Sequence, residues 1–137
     1  MSVPAVNRPA VIVLVQPHDD NREMYAEFFR LHGLTVHAFR DAEAALQAAQ
    51  LASVVVTDVH GVGNLNGIAL LERLRQDERT SDVPVLVVTP SALPSDRARA
   101  EAAGCDMFLT MPCVPDELLR AVRGVLGSRN IFEVRGI

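Results

Sequence analysis

The chain predicts a three-layer α/β domain in which a five-stranded parallel sheet is covered by helices on both faces. Three observations carry this. Short β-branched apolar runs such as Val54-Val55-Val56 recur along the chain and read as strands buried on both faces. Segments with helical spacing of apolar residues separate them, so each strand–helix–strand unit needs parallel pairing with a right-handed crossover. The chain has 137 residues, which suits one domain with a real core.

Residues 1–9 form an irregular lead-in with two prolines. Ala10–Val15 is the first strand, followed by the loop Gln16-Pro17-His18-Asp19. Asp20 and Glu23 have capping-box spacing and predict a helix start, with Met24, Phe28 and Leu31 at helical intervals and Gly33 as the stop. Leu34–Phe39 is the second strand, and Asp41 caps an alanine-rich helix running to about Leu51. Ser53–Thr57 is the third strand, a loop spans His60–Asn66, and Gly67 opens a helix with Ile68, Leu71 and Leu74 on one face. Pro84–Thr89 is the fourth strand. A helix from Ser95 or Asp96 ends at Gly104, and Asp106–Thr110 is the fifth strand. Pro115 sits at the first position of the last helix, whose stripe is Leu118, Leu119, Val122 and Val125. The domain thus spans 10–127. Residues 128–137 read as a C-terminal tail, either loosely packed or, through the alternation Phe132-Glu133-Val134-Arg135, a strand for a partner or a second copy of the chain.

Hydrophobic residues make up 49% and charged residues 22%, which is a globular composition. A net charge of -4 with scattered basic residues argues against nucleic-acid binding. No apolar run has bilayer length and no signal-peptide layout opens the chain, so the expected location is cytoplasmic, away from the membrane. Cys105 and Cys113 form neither a disulfide framework nor a zinc site. All thirteen basic residues are arginine, so chemistry that needs a lysine ammonium is excluded.

Ligands of open α/β sheets bind at the carboxyl ends of the strands. Here those ends bring Gln16-Pro17, Asp58, Thr89 and Met111-Pro112 to one rim. Several segments in this order and spacing carry a resemblance: Val54–Asp58, Gly67-Ile68-Ala69-Leu70-Leu71, Pro84–Thr89, Ala102-Ala103-Gly104-Cys105-Asp106 and Phe108-Leu109-Thr110-Met111-Pro112. Residues 10–127 resemble the receiver domain of two-component response regulators, the family of the bacterial chemotaxis regulator. The resemblance implies a flavodoxin-like sheet in the order 2-1-3-4-5 and a signalling role in a phosphorelay rather than an enzyme. It implies Asp58 as the phospho-acceptor, Thr89 as the switch hydroxyl, Phe108 as the switch aromatic and Pro112 as the proline that usually follows a cis peptide bond. Partners would be a histidine kinase or phosphotransfer protein, or a target bound through the fourth helix, fifth strand and fifth helix; a homodimer is a further arrangement.

The departures bear on mechanism. The family's paired acids fall at Gln16 and Pro17, and its lysine at Met111. The loop before Gly67 is one residue longer than usual and lacks Met-Pro. Magnesium binding by Asp58 alone is expected to be weak. Asp19 is a candidate second ligand, although it and Asp20 also fit helix capping. His18 could donate a hydrogen bond to a phosphate or bind a transition metal, although a lone loop histidine is more often solvated, and Arg22 on the first helix is the one arginine that could reach toward the lost lysine's role. Asp58 and Thr89 also fit plain strand-end roles, Phe108 fits the core, and Met111 fits as filler. The expectation is therefore an atypical receiver acting by protein–protein interaction. The alternative is a receiver still phosphorylated on Asp58. A flavodoxin-like binder of nucleotide or flavin is disfavoured, because Gln16–Asp19 contains no glycine to cradle a phosphate.

Overall fold

The computed structural model describes residues 9–60, 65–90, 93–110 and 114–135. Strands β1 (Val11–Val15), β2 (Thr35–Phe39), β3 (Val54–Thr57), β4 (Val85–Thr89) and β5 (Met107–Thr110) alternate with helices α1 (Asp19–Leu31), α2 (Ala42–Ala48), α3 (Gly67–Gln76), α4 (Pro94–Ala103) and α5 (Pro115–Arg135). A 3-10 turn, Ala49–Leu51, extends α2. The strands form one sheet in the order β2-β1-β3-β4-β5, every pair parallel. Val15 pairs with Thr57 and Thr57 with Val87, so β1 and β3 end level with each other and β4 runs two residues further, to Thr89.

Alternation along the strands divides the core into two layers. Val13, Val55 and Val87 pack with Ala45, Leu71 and Ala100 of α2, α3 and α4. Ile12, Leu14, Val54, Val56 and Leu86 pack with Tyr25 and Phe29 of α1 and Leu118 and Val122 of α5. Burial on both faces is why β1, β3 and β4 are continuous, mostly β-branched apolar runs rather than alternating with polar residues.

Asp41 caps α2 as expected, its Oδ1 accepting the Ala44 N–H at 2.9 Å. Asn66 does the same for α3 through Ala69 at 2.8 Å. Gly104 ends α4 with φ +100°, a conformation that side chains with a Cβ rarely adopt.

Three expectations need correction. The capping residue of α1 is His18, without a side-chain cap bond, so Asp20 and Glu23 do not form a capping box. Asp19 and Asp20 instead lie in the first turn, where carboxylates suit the helix dipole. Met24 and Leu31 are 45% and 77% exposed, and the buried face of α1 is Tyr25, Ala26 and Phe29. Two stripes of apolar spacing overlap on this helix, and the sheet takes the one with the larger aromatic content. Finally, α5 continues to Arg135, so Phe132–Arg135 is helical rather than extended; a four-residue alternation is too short to override propagation of an established helix.

Candidate functional site

The rim is built on β3. Asp58 follows its last residue, and the backbone N–H of Asp58 donates to the Val15 carbonyl at 3.2 Å, extending the ladder by one bond. Its side chain is held inward, leaving the residue 3% exposed, and Oδ1 accepts the His60 N–H at 3.0 Å. The Asp58 carbonyl accepts the Thr57 hydroxyl at 3.1 Å. Gly67 opens α3 directly behind this peptide: a Cβ there would fall 1.7 Å from the Asp58 carbonyl oxygen. The missing side chain is what lets α3 approach the acid so closely.

One strand over, Gln16 continues β1 and is buried beside Asp58. Its amide is neutral, and its Oε1 accepts the His18 N–H at 3.1 Å, closing the loop on itself. Pro17 follows, half-buried and without a side-chain oxygen. Arg22 on α1 spans this loop. Its Nη1 donates to the Gln16 carbonyl at 3.0 Å and its Nη2 to Asp19 Oδ1 at 2.6 Å. That hydrogen bond and the adjacent guanidinium charge hold the Asp19 carboxyl below its ordinary value. Asp19, His18 and Asp20 are all solvent-exposed.

Thr89 ends β4 and is fully buried. Phe108 on β5 pairs with Val87 and lies inward, 8% exposed. The Arg97 guanidinium stands 5.7 Å from its ring centroid. Met111, Pro112 and Cys113 lie outside the described residues. Cys105, half-buried, has its thiol pushed up chiefly by burial, as expected of a packing thiol.

Thus Gln16, Asp58 and Thr89 come together at adjacent strand ends, while Asp19 is drawn aside by Arg22. Among the described residues no three His, Cys, Asp or Glu side chains gather as a metal site. A cleft of about 720 Å3 between the ends of α2 and α3, lined by Gln47, Gln50, Arg73 and Arg79, lies at the opposite end of the sheet and takes no part in the rim. Sequence patterns missed two buried features. Asp96 sits on the inner face of α4, as its i, i+4 relation to buried Ala100 would have indicated. The tie between Arg22 and the Gln16 carbonyl left no signal, because its acceptor is backbone.

A doubly wound sheet with an acid at the end of its central strand defines a class of α/β domains with a rim site. The family model described as "Response regulator receiver domain" matches residues 12–123. The chain is 31% identical over 125 residues to the response regulator Rre1 of Synechocystis, covering 89% of this chain and 54% of that protein. It therefore spans about half the length of that relative. A putative response regulator from Chloroflexus aurantiacus superposes with a TM-score of 0.81 at 29% identity, over 88% of this chain and 99% of that one. The receiver domain of a sensor histidine kinase from Pseudomonas aeruginosa, solved with magnesium coordinated in its active-site cleft, has the same fold, with a TM-score of 0.80 at 24% identity over 88% of this chain and 99% of that one. The chain belongs to the response regulator receiver family.

Proposed function

We propose that this receiver works in two-component signalling with a pocket impaired for metal-assisted phosphorylation, and that it acts by binding other proteins. Asp58 is the residue in the acceptor position, and Thr89 and Phe108 are in the switch positions. The carrying observation is the state of the oxygens around Asp58. Magnesium needs several oxygen ligands in near-octahedral array. Gln16 offers a neutral amide already engaged by His18, Pro17 offers nothing, and Asp19 is ion-paired with Arg22 at 2.6 Å. This donor set does not fit a hard divalent cation. Met111 in place of the family's lysine removes a further cation from the phosphoryl oxygens. Losing both contacts slows transfer by roughly three orders of magnitude or more, at a few kcal/mol each. The surface of α4, β5 and α5 is the proposed docking face for a downstream protein.

A second reading is supported by Asp58 and Thr89 both being buried at the carboxyl ends of neighbouring strands. In it, a phosphohistidine donor brings the missing charge. An Asp58 oxygen attacks phosphorus, an acyl–phosphate bond forms, and the P–N bond breaks with the electron pair returning to the donor's imidazole.

Beryllium fluoride tests the first reading. With millimolar magnesium, the wild-type chain is expected to form no adduct at Asp58, whereas the reversion Gln16→Glu, Pro17→Asp, Met111→Lys forms one. An adduct on the wild-type chain would show that the pocket is intact.

A further inference from the structure

The start of α3 meets two demands with two neighbouring residues. Its N-cap, Asn66, supplies an oxygen: Oδ1 accepts the Ala69 N–H at 2.8 Å. Its first helical residue has to lack a side chain, because a Cβ at Gly67 would fall 1.7 Å from the Asp58 carbonyl oxygen. Together the two demands write the pair Asn-Gly, and of the five asparagines in the chain Asn66 alone precedes a glycine.

That pair is chemically labile. The Gly67 nitrogen, unhindered by a side chain on its own residue, attacks the Asn66 side-chain amide carbon and gives up its proton. The bond from that carbon to the amide nitrogen breaks, ammonia leaves, and a five-membered succinimide remains. Water then opens the ring at either carbonyl. One opening gives aspartate; the other gives isoaspartate, in which the chain runs through the former side-chain carbonyl and is one carbon longer. Water is the only co-reactant, and Asn66 is exposed to it.

The folded chain restrains the first step in two ways. Ring closure needs Cβ and the Gly67 nitrogen nearly eclipsed about the Asn66 Cα–C bond, whereas ψ of 177° holds them near a staggered arrangement. The Gly67 N–H that has to be given up is donated to the Val59 carbonyl at 2.9 Å. The cap bond acts in the opposite sense, since a donor on Oδ1 stabilises the oxyanion formed by the attack. Restraint therefore rests on the Gly67 peptide, and the reaction has to wait for the first turn of α3 to open.

We infer that Asn66–Gly67 is a deamidation site gated by the first turn of α3, and that its two products act differently on the support of Asp58. Aspartate keeps an acceptor at the cap and sets a carboxylate at the positive end of the helix, so α3 stays in place. Isoaspartate lengthens the chain where α3 already packs without space against the backbone of Asp58 and Val59, so the helix start is displaced from the acid. The site couples the age of the chain to the geometry of the rim. It concerns β3 and α3 and does not depend on whether Asp58 accepts phosphate.

The test follows deamidation of the full chain at mildly alkaline pH, folded and in concentrated urea, by peptide mass spectrometry, with electron-transfer fragmentation to tell isoaspartate from aspartate. In urea Asn66 should react faster than the other four asparagines. In the folded chain it should react at least about tenfold more slowly than in urea, the ratio set by an opening that costs about 1.4 kcal/mol. Equal rates in the two conditions would overturn the gate, and an Asn66 no faster in urea than the other asparagines would overturn the site. Amide hydrogen exchange across 67–70 reads the products. Asn66→Asp, which carries one product, and Asn66→Ser, which caps without deamidating, should both stay within about twofold of the wild type. Isoaspartyl protein, isolated by ion exchange from the aged folded sample, should exchange there at least about fivefold faster, with β4 unchanged. Isoaspartyl protein that exchanges like Asn66→Ser, or an Asn66→Asp that exchanges as fast as isoaspartyl protein, would overturn the contrast between the products.

Discussion

Gly67 is the residue on which the geometry of the rim most visibly depends. Its absent Cβ would meet the Asp58 carbonyl oxygen at 1.7 Å and the carbonyl carbon at 2.8 Å, both backbone atoms that cannot rotate away. Gly67→Ala should therefore cost about 3 kcal/mol or more in denaturant unfolding and displace α3 from Asp58. A cost below about 1 kcal/mol would mean that α3 already stands off from the rim. Asp19 gives a second, electrostatic prediction. Its folded-state carboxyl is lowered, first by the hydrogen bond from Arg22 and then by the Arg22 charge. A group lowered in the folded state contributes stability above its unfolded value, and that contribution is lost as pH falls through the folded value. The window thus lies at and below the ordinary aspartate value of 3.8. Carboxyl NMR should place Asp19 below that value in the wild type and near it in Arg22→Ala, with salt shrinking the difference because the pair is exposed. An Asp19 that titrates alike in both proteins would contradict the pairing that draws it away from the rim.

At the scale of elements, caps and staples decide which segments hold firm. Asp41→Ala removes the acceptor for the Ala44 N–H and should lower stability by about 1 kcal/mol. Arg75 joins three segments at the end of the sheet opposite the rim. Its guanidinium donates to the carbonyls of Ser81, Val83 and Gly104 and to Asp106 Oδ2, which also accepts the Val85 N–H at 2.8 Å. Arg75→Leu leaves several carbonyls without that donor and should cost about 2–3 kcal/mol, readable in thermal unfolding. The strands were legible because runs such as Val54–Thr57 and Val85–Thr89 must be apolar on both faces of a buried sheet. Asp58, at the end of such a run, was legible for the same reason. The inner face of α1 was not, since Met24, Phe28 and Leu31 satisfy helical spacing as well as Tyr25, Ala26 and Phe29 do. Periodicity gives the existence of a face; tertiary packing selects which one. Arg75 was illegible because most of its acceptors are backbone carbonyls, one of them 29 residues away.

For the molecule as a whole, the proposal is that the receiver fold is kept while the chemistry of its rim is lost. The sheet order and the paired core layers are those of a receiver. The residues around the acid have turned inward: Gln16 to its own loop, Arg22 to Asp19 and Gln16, Asp58 to His60. Under the proposal, such a domain would keep its binding surfaces while losing the reactivity of its acid, and its output would be protein association. The central claim is tested most directly by phosphorylation with a small-molecule donor such as acetyl phosphate in saturating magnesium, followed by intact mass. The wild-type chain is predicted to acquire a phosphoryl group roughly a thousandfold or more slowly than the Gln16→Glu, Pro17→Asp, Met111→Lys reversion, with Asp58→Asn abolishing uptake in the reversion. Wild-type labelling at Asp58 within about tenfold of the reversion would contradict the account, since that gap corresponds to only about 1.4 kcal/mol of barrier.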